Sequence, residues 1–430
     1  MRHVLIILLL SCLGMSIHAQ DDMPDLTESV PLIDVGDQTI TNILLIGAAT
    51  EYSESNPGLT DTLMVLSVNQ ETRHIAIVSI PRDLYVYVPE HGMMKINQAH
   101  FIAERAEAGT GVDTLKATVR HNLGIEIDFY ARVNFDSFPD LVDSVGGIDI
   151  TVDCTIEDWR LKEPDLDKTV EDNWEMFTLW AGLHHMDGDT ALWYVRSRRT
   201  SNDIDRNRRQ QDVLRALWRR ISSDGLLENF PQLWEQFNDI VDTDMTLSDA
   251  VQFLPTAVEL DAANVDYYRF KINTHVTQGY TPDDAQRFIL IPIPEAVAEM
   301  MQQVVAPTTR SRVASSVPTV AIYNGSNVPG LDYVAAHRIE REGFRPIITG
   351  EPASPRNFNL IVDHTGLARN NPIDRLQSVL RTTDEGVQTD PDPERTYDYE
   401  LYIGANYQFF ACTEPVEQPS RNEDGTASTE

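Results

Sequence analysis

Residues 40–80, ITNILLIGAATEYSESNPGLTDTLMVLSVNQETRHIAIVSI, decide the fold of this chain. Three runs within them, 40–46, 62–68 and 75–80, consist of β-branched residues and leucine with few charges, and they read as buried strands. Working outward, helical spacing predicts helices over 96–106 and 112–122. A strand follows over 125–133, then a short helix over 138–144 and, after Gly146-Gly147, a strand over 148–152. Strands alternating with helices imply an α/β layered fold. Residues 157–175 are rich in charge and read as an insertion or lid. The short apolar segment 191–195 leads into an arginine cluster. A long helix is expected from about 204 to 222, and two more helical stretches, 226–241 and 247–260, complete the same domain.

Residues 307–318, PTTRSRVASSVP, have the composition of a linker. Beyond them the pattern restarts: a strand over 319–323, the turn Asn324-Gly325-Ser326, a helix over 332–342 closed by Gly343, and a strand over 346–349. A strand over 360–362, a helix over 373–380 and a strand over 397–403 follow, making a second, smaller α/β domain. The expected organisation is a signal segment 1–19, a leader 20–38, a first domain 39–305 with its core in 40–222, a linker 306–318, a second domain 319–412 and a polar, disordered tail 413–430.

At 430 residues the chain has room for two or three domains. Its composition, 42% apolar and 23% charged, excludes global disorder, collagen and a multi-span membrane protein. The net charge of −33 would be repelled by nucleic-acid phosphates, so no nucleic-acid partner is expected and an anion site must be a local exception. Arg2 and His3 precede the uncharged run 4–17, and His18-Ala19-Gln20 follows. This is the pattern of a signal peptide cleaved after Ala19, which would leave the mature chain extracytoplasmic. The run is shorter than the roughly 20 residues of a membrane span, so a permanent anchor, like acylation at Cys12, is the lesser reading. Cys154 and Cys412 cannot form a zinc framework; they either pair across the domain boundary or remain separate thiols.

The local exception is residues 196–220, RSRRTSNDIDRNRRQQDVLRALWRR, with nine arginines against three aspartates. On a helix, Val213, Leu214, Leu217 and Ile221 share one stripe, with Arg208, Arg215 and Arg219 opposite them at the surface. Arg206, Arg209 and Gln210 extend the apolar stripe toward the helix start and point inward. A buried arginine needs an anion, either Asp203, which could equally cap the helix, or a bound phosphate, whose oxygens match the guanidinium fork. Further polar residues stand where strands end, at Asp61, Pro81-Arg82-Asp83 and Lys95-Ile96-Asn97, and strand ends of α/β sheets are where ligands bind.

Taken in order, Asn42 to Gly47, Asp61-Thr62, Ser79 to Asp83, Lys95-Ile96-Asn97, Val145 to Ile148, residues 188–192, Arg196-Ser197-Arg198 and Asp203-x-x-Arg206-x-x-Arg209-Gln210 resemble the LytR-CpsA-Psr family. The unit that starts V-A-I-Y-N-G-S resembles the C-terminal domain that often follows. The resemblance implies a layered α-β-α catalytic domain with a mostly buried mixed sheet and a hydrophobic tunnel for lipid. It also implies a phosphotransferase of the cell envelope, moving a phosphate-linked glycopolymer from a polyprenyl-pyrophosphate carrier to peptidoglycan with Mg²⁺. The membrane surface would be met through the lipid. By the family pattern Arg82, Lys95, Arg196, Arg198, Arg206, Arg209 and Gln210 take the pyrophosphate. Asp61 holds the metal and acts with Arg82, Arg196 and Arg198 in catalysis, supported by Asp83, Asn97 and Asp203. Two positions depart from the pattern: Ala49 and Leu59 stand where an Asp and an Arg are usual, with Glu51 as a substitute ligand. That departure motivates the alternative of a binding protein without turnover. Transcriptional attenuation is opposed by the net charge and by the expected export.

Overall fold

The computed structural model describes residues 24–48, 58–199, 203–223, 230–260, 264–283, 285–305, 317–367 and 371–407. The signal segment, Ala49, Glu51, Cys412, nearly all of the linker and the tail lie outside them.

The chain opens with β1 (Ile40–Ala48), β2 (Thr60–Asn69), β3 (His74–Ser79), and a hairpin of β4 (Tyr85–Val88) and β5 (Gly92–Lys95). Then come α1 (Ala99–Ala106), α2 (Gly111–Leu123), β6 (Phe129–Asn134), α3 (Phe138–Ser144) and β7 (Ile148–Val152). A ribbon of β8 (Ile156–Leu161) and β9 (Trp174–Leu179) precedes β10 (Gly182–Met186), α4 (Gly188–Arg196) and α5 (Asp203–Ser223). The first domain ends with α6 (Phe230–Asn238), β11 (Asp242–Thr243), α7 (Leu247–Val251), α8 (Leu254–Val258), β12 (Val265–Arg269), the hairpin β13 (Val276–Tyr280) and β14 (Phe288–Pro292), and α9 (Pro294–Val305).

The central sheet runs β11-β6-β1-β2-β3-β12 and is mixed: β1 is parallel to β6 and antiparallel to β2, and β3 is parallel to β12. Alternation along the strands sends Leu44, Ile46, Val65, Ala76 and Val78 to one face, where they pack with Leu115 and Val119 of α2 and Met301 and Val304 of α9. On the other face, Gln211 of α5 donates to Ser79 Oγ at 2.8 Å. The result is an α-β-α layering with strands buried on both sides, the arrangement that continuous apolar runs favour. After α3 the chain turns through Gly146 and Gly147, both at positive φ. A Cβ on Gly147 would lie 2.6 Å from His185 Nε2, so no side chain fits there.

The second domain has β15 (Thr319–Asn324), α10 (Leu331–Arg341), β16 (Arg345–Pro352), β17 (Leu360–Asp363), α11 (Ile373–Leu380), β18 (Val387–Thr389) and β19 (Tyr399–Ile403). Its sheet is ordered β16-β15-β19-β17-β18, and Val320, Ile322, Ile361 and Leu401 pack beneath Val334, Ile339, Leu376 and Leu380 of the two helices.

Several sequence expectations change. Residues 157–175 lie within the β8–β9 ribbon, whose mixture of charged and apolar residues on both faces masked its strands. The region expected to complete the first domain with helices also carries β12, an edge strand of the main sheet, and the β13–β14 hairpin. The expected helix over 247–260 divides into α7 and α8, the second starting with Pro255 in its first turn. Arg215, read as a surface residue, is packed: its Nε lies 3.0 Å from Tyr267 Oη, its guanidinium stacks 4.2 Å from that ring, and Nη1 reaches Glu340 of α10 at 3.0 Å. Arg219 pairs with the same Glu340 at 3.0 Å. A single buried stripe does not describe α5, because the second domain covers its far side.

The core of that interface is His337 of α10. Nδ1 stands 3.0 Å from Asp153 Oδ1 and Nε2 stands 3.0 Å from Asp212 Oδ1, while Arg341 reaches Asp153 at 2.5 Å. Nε2 faces the Asp212 carboxylate, and Nδ1 stands between the Asp153 carboxylate and Arg341 Nη2, which is 2.6 Å away. Burial pushes the ring down, but Asp212 and the two hydrogen bonds outweigh both burial and the opposing charge of Arg341, so its pKa is raised above the ordinary histidine value. Asp212 is correspondingly held down to about 2, its burial overcome by His337 and Arg341.

The sign of the pH dependence follows. The stabilisation is complete below the unfolded histidine pKa of about 6.5 and is lost as pH rises through the higher folded value. Melting curves of the full chain should therefore show docking of the second domain weakening on the alkaline side. His337→Ala should flatten that dependence and cost about 3 kcal/mol, since it leaves two carboxylates buried with one cation fewer. An unchanged pH profile in the variant would contradict the assignment.

Candidate active site

The carboxyl ends of β1 and β3 and the start of β2 converge on one corner of the central sheet. Asp61 is the second residue of β2. Arg82 follows β3 through Ile80 and Pro81, and its Nη1 lies 2.9 Å from Asp61 Oδ1, with Nε 3.5 Å from Asp83 Oδ2. Lys95 closes β5, and its Nζ lies 2.7 Å from Asp83 Oδ1. Backbone bonds hold these loops in place: Ile96 N–H donates to Leu84 O at 2.8 Å, Asn97 N–H to Arg82 O at 3.3 Å, and Leu290 N–H to Asp83 O at 2.9 Å. Asn97 is itself buried, and its carbonyl accepts from Thr60 Oγ1 at 3.3 Å. Its backbone therefore helps to fix the loop.

Arg196, the last residue of α4, stacks 4.6 Å from the ring of Phe135. Although part of its surface is exposed, the surrounding protein lowers its pKa, against the stabilising charges of Asp61 and Asp136. An arginine remains charged at any physiological pH regardless. Asp61, Arg82, Asp83, Lys95 and Arg196 are thus brought together. Arg198 is exposed at the next turn, and its backbone N–H donates to Asp158 Oδ2 at 2.9 Å. Ser197 Oγ and Arg199 N–H donate to the same oxygen at 2.8 Å and 3.2 Å. Burial works against the Asp158 carboxylate, but these bonds hold its pKa below the usual range.

Within α5, Arg206 and Arg209 are 2% and 3% exposed. Arg209 is engaged by the chain itself. It donates through Nη1 to Tyr194 O and through Nη2 to Ser197 O at 2.6 Å, with its guanidinium 5.5 Å from the Tyr194 ring. Committed to two carbonyls of the α4–α5 turn, it shapes the loop that presents Arg196 and Arg198. Gln210 is half-buried. Asp203 begins α5, and its side chain lies outside the described residues. Beside the cluster, Pro81, Asn207, Arg269, Phe270, Val276 and Leu290 border an apolar cavity of about 40 Å³. That volume is far below the several hundred Å³ of a ligand pocket for a long chain, so the tunnel implied by the resemblance is not open at this point.

Sequence reasoning missed Asp158 and Gln211. Nothing in the charged segment 157–175 singles out Asp158. Gln211 sits one residue from the expected Gln210, but it is buried only because both faces of α5 are covered. Among the described residues, no group of three or more His, Cys, Asp or Glu side chains is arranged to hold a metal, and no helix is long and apolar enough to cross a membrane.

The family model described as LytR_cpsA_psr matches residues 15–287. The chain belongs to the LytR_cpsA_psr family. Among its relatives, the polyisoprenyl-teichoic acid–peptidoglycan teichoic acid transferase TagT of Bacillus subtilis is 30% identical over 258 residues, covering 55% of this chain and 73% of TagT. The enzyme of the same description named TagU, from Bacillus mycoides, is 32% identical over 208 residues, covering 48% of this chain and 60% of TagU. The crystal structure of B. subtilis TagV is similar in fold, with a TM-score of 0.52 and 22% identity over 63% of this chain and 97% of TagV. The match includes Asp61, Arg82, Asp83, Lys95 and Arg196, and ends just before the β14 strand whose Leu290 holds Asp83.

The geometry separates two kinds of arginine. Arg209→Ala should lower the melting temperature, costing about 3 kcal/mol for two charge-assisted bonds to buried carbonyls. Arg82→Ala should leave stability within about 1 kcal/mol, because a partly exposed ion pair contributes little, while abolishing binding of inorganic pyrophosphate. Thermal denaturation and calorimetric titration of both variants check this, and equal stability losses would contradict it.

Proposed function

We propose that this protein is a cell-envelope phosphotransferase that moves a phosphate-linked glycopolymer from a polyprenyl-pyrophosphate carrier to peptidoglycan. The single observation that carries the reading is the corner where Arg82 and Lys95 are each paired with a carboxylate and where Arg196 feels the charge of Asp61, the partner of Arg82. Carboxylates keep these cations oriented until phosphate oxygens replace them. The names of TagT and TagU, transferases of teichoic acid to peptidoglycan, support the same class of reaction.

In that reaction an acceptor hydroxyl oxygen forms a bond to the phosphorus bearing the glycan. The bond from that phosphorus to the bridging oxygen breaks, polyprenyl phosphate leaves, and the hydroxyl proton passes to the departing phosphate or to water. The protein's part is to position the reactants and neutralise charge. Arg82 and Lys95 hold the pyrophosphate from the β3 and β5 side, while Arg196 and Arg198 approach from the α4–α5 turn. Arg206, desolvated at the start of α5, adds positive potential. Asp61 would hold Mg²⁺, which supplies further charge neutralisation. One carboxylate with waters and substrate oxygens is an ordinary environment for that ion, so its affinity should be low until the pyrophosphate is present. The lipid would enter by displacing the walls of the small apolar cavity beside Pro81.

The second reading, a binding protein without turnover, rests on Ala49 and on Leu59, which is 38% exposed beside Asp61. The two readings separate in one assay. The transferase releases polyprenyl phosphate from a polyprenyl-pyrophosphate glycan in a Mg²⁺-dependent manner, Asp61→Asn lowers the rate at least about tenfold, and the pair Ala49→Asp with Leu59→Arg raises it. Retained lipid binding with no release by the wild type would favour the binding protein, and absence of lipid binding would overturn both.

A further inference from the structure

The β8–β9 ribbon is joined to the arginine loop and has one face on which Trp159 and Met176 are exposed, while at its far end Trp174 Nε1 donates to Lys168 O of the connecting loop at 3.1 Å. Ladder pairing puts Ile156, Asp158, Phe177 and Leu179 on its inner face. There Phe177 packs edge-on against Trp193 of α4 at 5.0 Å, Trp193 Nε1 donates to Trp159 O at 3.0 Å, and Asp158 clamps residues 197–199. The outer face carries Trp159 opposite Met176 and Leu161 opposite Trp174. Trp159 is 55% exposed and Met176 38%, and Trp180, just past the ribbon, is 67% exposed. Arg199 borders the outer face, with Nη1 at 2.6 Å from Glu157 and 3.1 Å from Met176 Sδ. Exposed apolar surface with a polar rim marks an interaction site.

We infer that this face holds the acceptor, an uncharged stretch of N-acetylhexosamine strand whose sugar ring lies on the indole of Trp159. The inference rests on the phosphotransferase reading and names where its acceptor docks. Charge selects the occupant. The loop between the strands carries Glu163, Asp165, Asp167, Glu171 and Asp172 against Lys162 and Lys168. Membrane-surface elements that use tryptophan are rich in lysine and arginine, and this loop has the opposite sign. The same field repels a phosphate-rich donor polymer. A neutral sugar strand is unaffected by it, offers an apolar ring face to an indole, and presents hydroxyls to the rim groups Glu157 and Arg199. Trp159 follows the clamping residue Asp158 in the strand but faces the opposite side of the ribbon, so a strand bound here leaves the phosphate-binding arginines unoccupied.

The test uses the full chain and N,N′,N″,N‴-tetraacetylchitotetraose as the probe, followed by tryptophan fluorescence and calorimetry, with inorganic pyrophosphate titrated in parallel. Wild type should bind the tetrasaccharide, Trp159→Ala should weaken it at least fivefold, Trp159→Phe should recover part of the loss, and pyrophosphate affinity should be unchanged in both variants. Pyrophosphate binding without tetrasaccharide binding by the wild type would overturn this inference and leave the proposed reaction standing. Trp159-dependent tetrasaccharide binding without pyrophosphate binding would keep the glycan site and remove the proposed reaction. Trp159-dependent binding to phosphatidylglycerol vesicles in place of the sugar would assign the ribbon to the membrane and overturn the inference.

Discussion

The turn from α4 to α5 is gripped from two sides, and the arrangement of the site depends on that grip. From within, the guanidinium of Arg209 donates to the carbonyls of Tyr194 and Ser197. From outside, the carboxylate of Asp158 accepts from Ser197 Oγ and from the N–H groups of Arg198 and Arg199. A loop carrying several like charges would otherwise spread to relieve their repulsion. Here its backbone is fixed by one buried cation and one anion, so Arg196 and Arg198 present their charge in a defined direction. The other half of the cluster follows the same logic, with Asp61 and Asp83 holding Arg82 and Lys95. Local pairing is how a chain of net charge −33 maintains a concentrated positive site.

The same helix connects that site to the second domain. Buried residues of α5 include Arg209 toward the loop, Gln211 toward Ser79 of β3, and Asp212 toward His337 of α10. Three neighbouring positions therefore touch the arginine loop, the central sheet and the C-terminal domain. The interface is built from charges, namely Asp153, Asp212, His337 and Arg341 with Glu340 facing Arg215 and Arg219. Such an interface is specific in register because any displacement leaves a charge buried without its counterpart.

Much of this was legible in the chain itself. The runs at 40–46, 62–68 and 75–80 are strands because residues buried on both faces must be apolar throughout, and the ordered motifs carried the family. Arg82, Lys95 and Arg196 were legible because strand and helix ends concentrate polar residues where ligands bind. Other features were hidden for physical reasons. The β8–β9 strands mix charged and apolar residues on both faces, Glu157 beside Trp159 on one and Asp158, Arg160 and Glu175 beside Ile156 and Phe177 on the other, so no apolar-polar alternation marks them as strands. The five residues of β12 sit at the edge of the sheet and need only partial burial. The roles of Arg209 and Arg215 depend on what covers α5, one partner being the turn before it and the other a helix more than a hundred residues later. No helical periodicity within α5 contains that information.

The carboxylate-held cations at the sheet corner are proposed as the pyrophosphate site, and a crystal structure of the full chain with a short-chain polyprenyl pyrophosphate is the decisive measurement. Phosphate oxygens should lie within hydrogen-bond distance of Arg82, Lys95 and Arg196, with the contact between Arg82 and Asp61 lengthened or replaced. Pyrophosphate bound elsewhere, with the Arg82–Asp61 and Lys95–Asp83 pairs intact, would contradict the proposal.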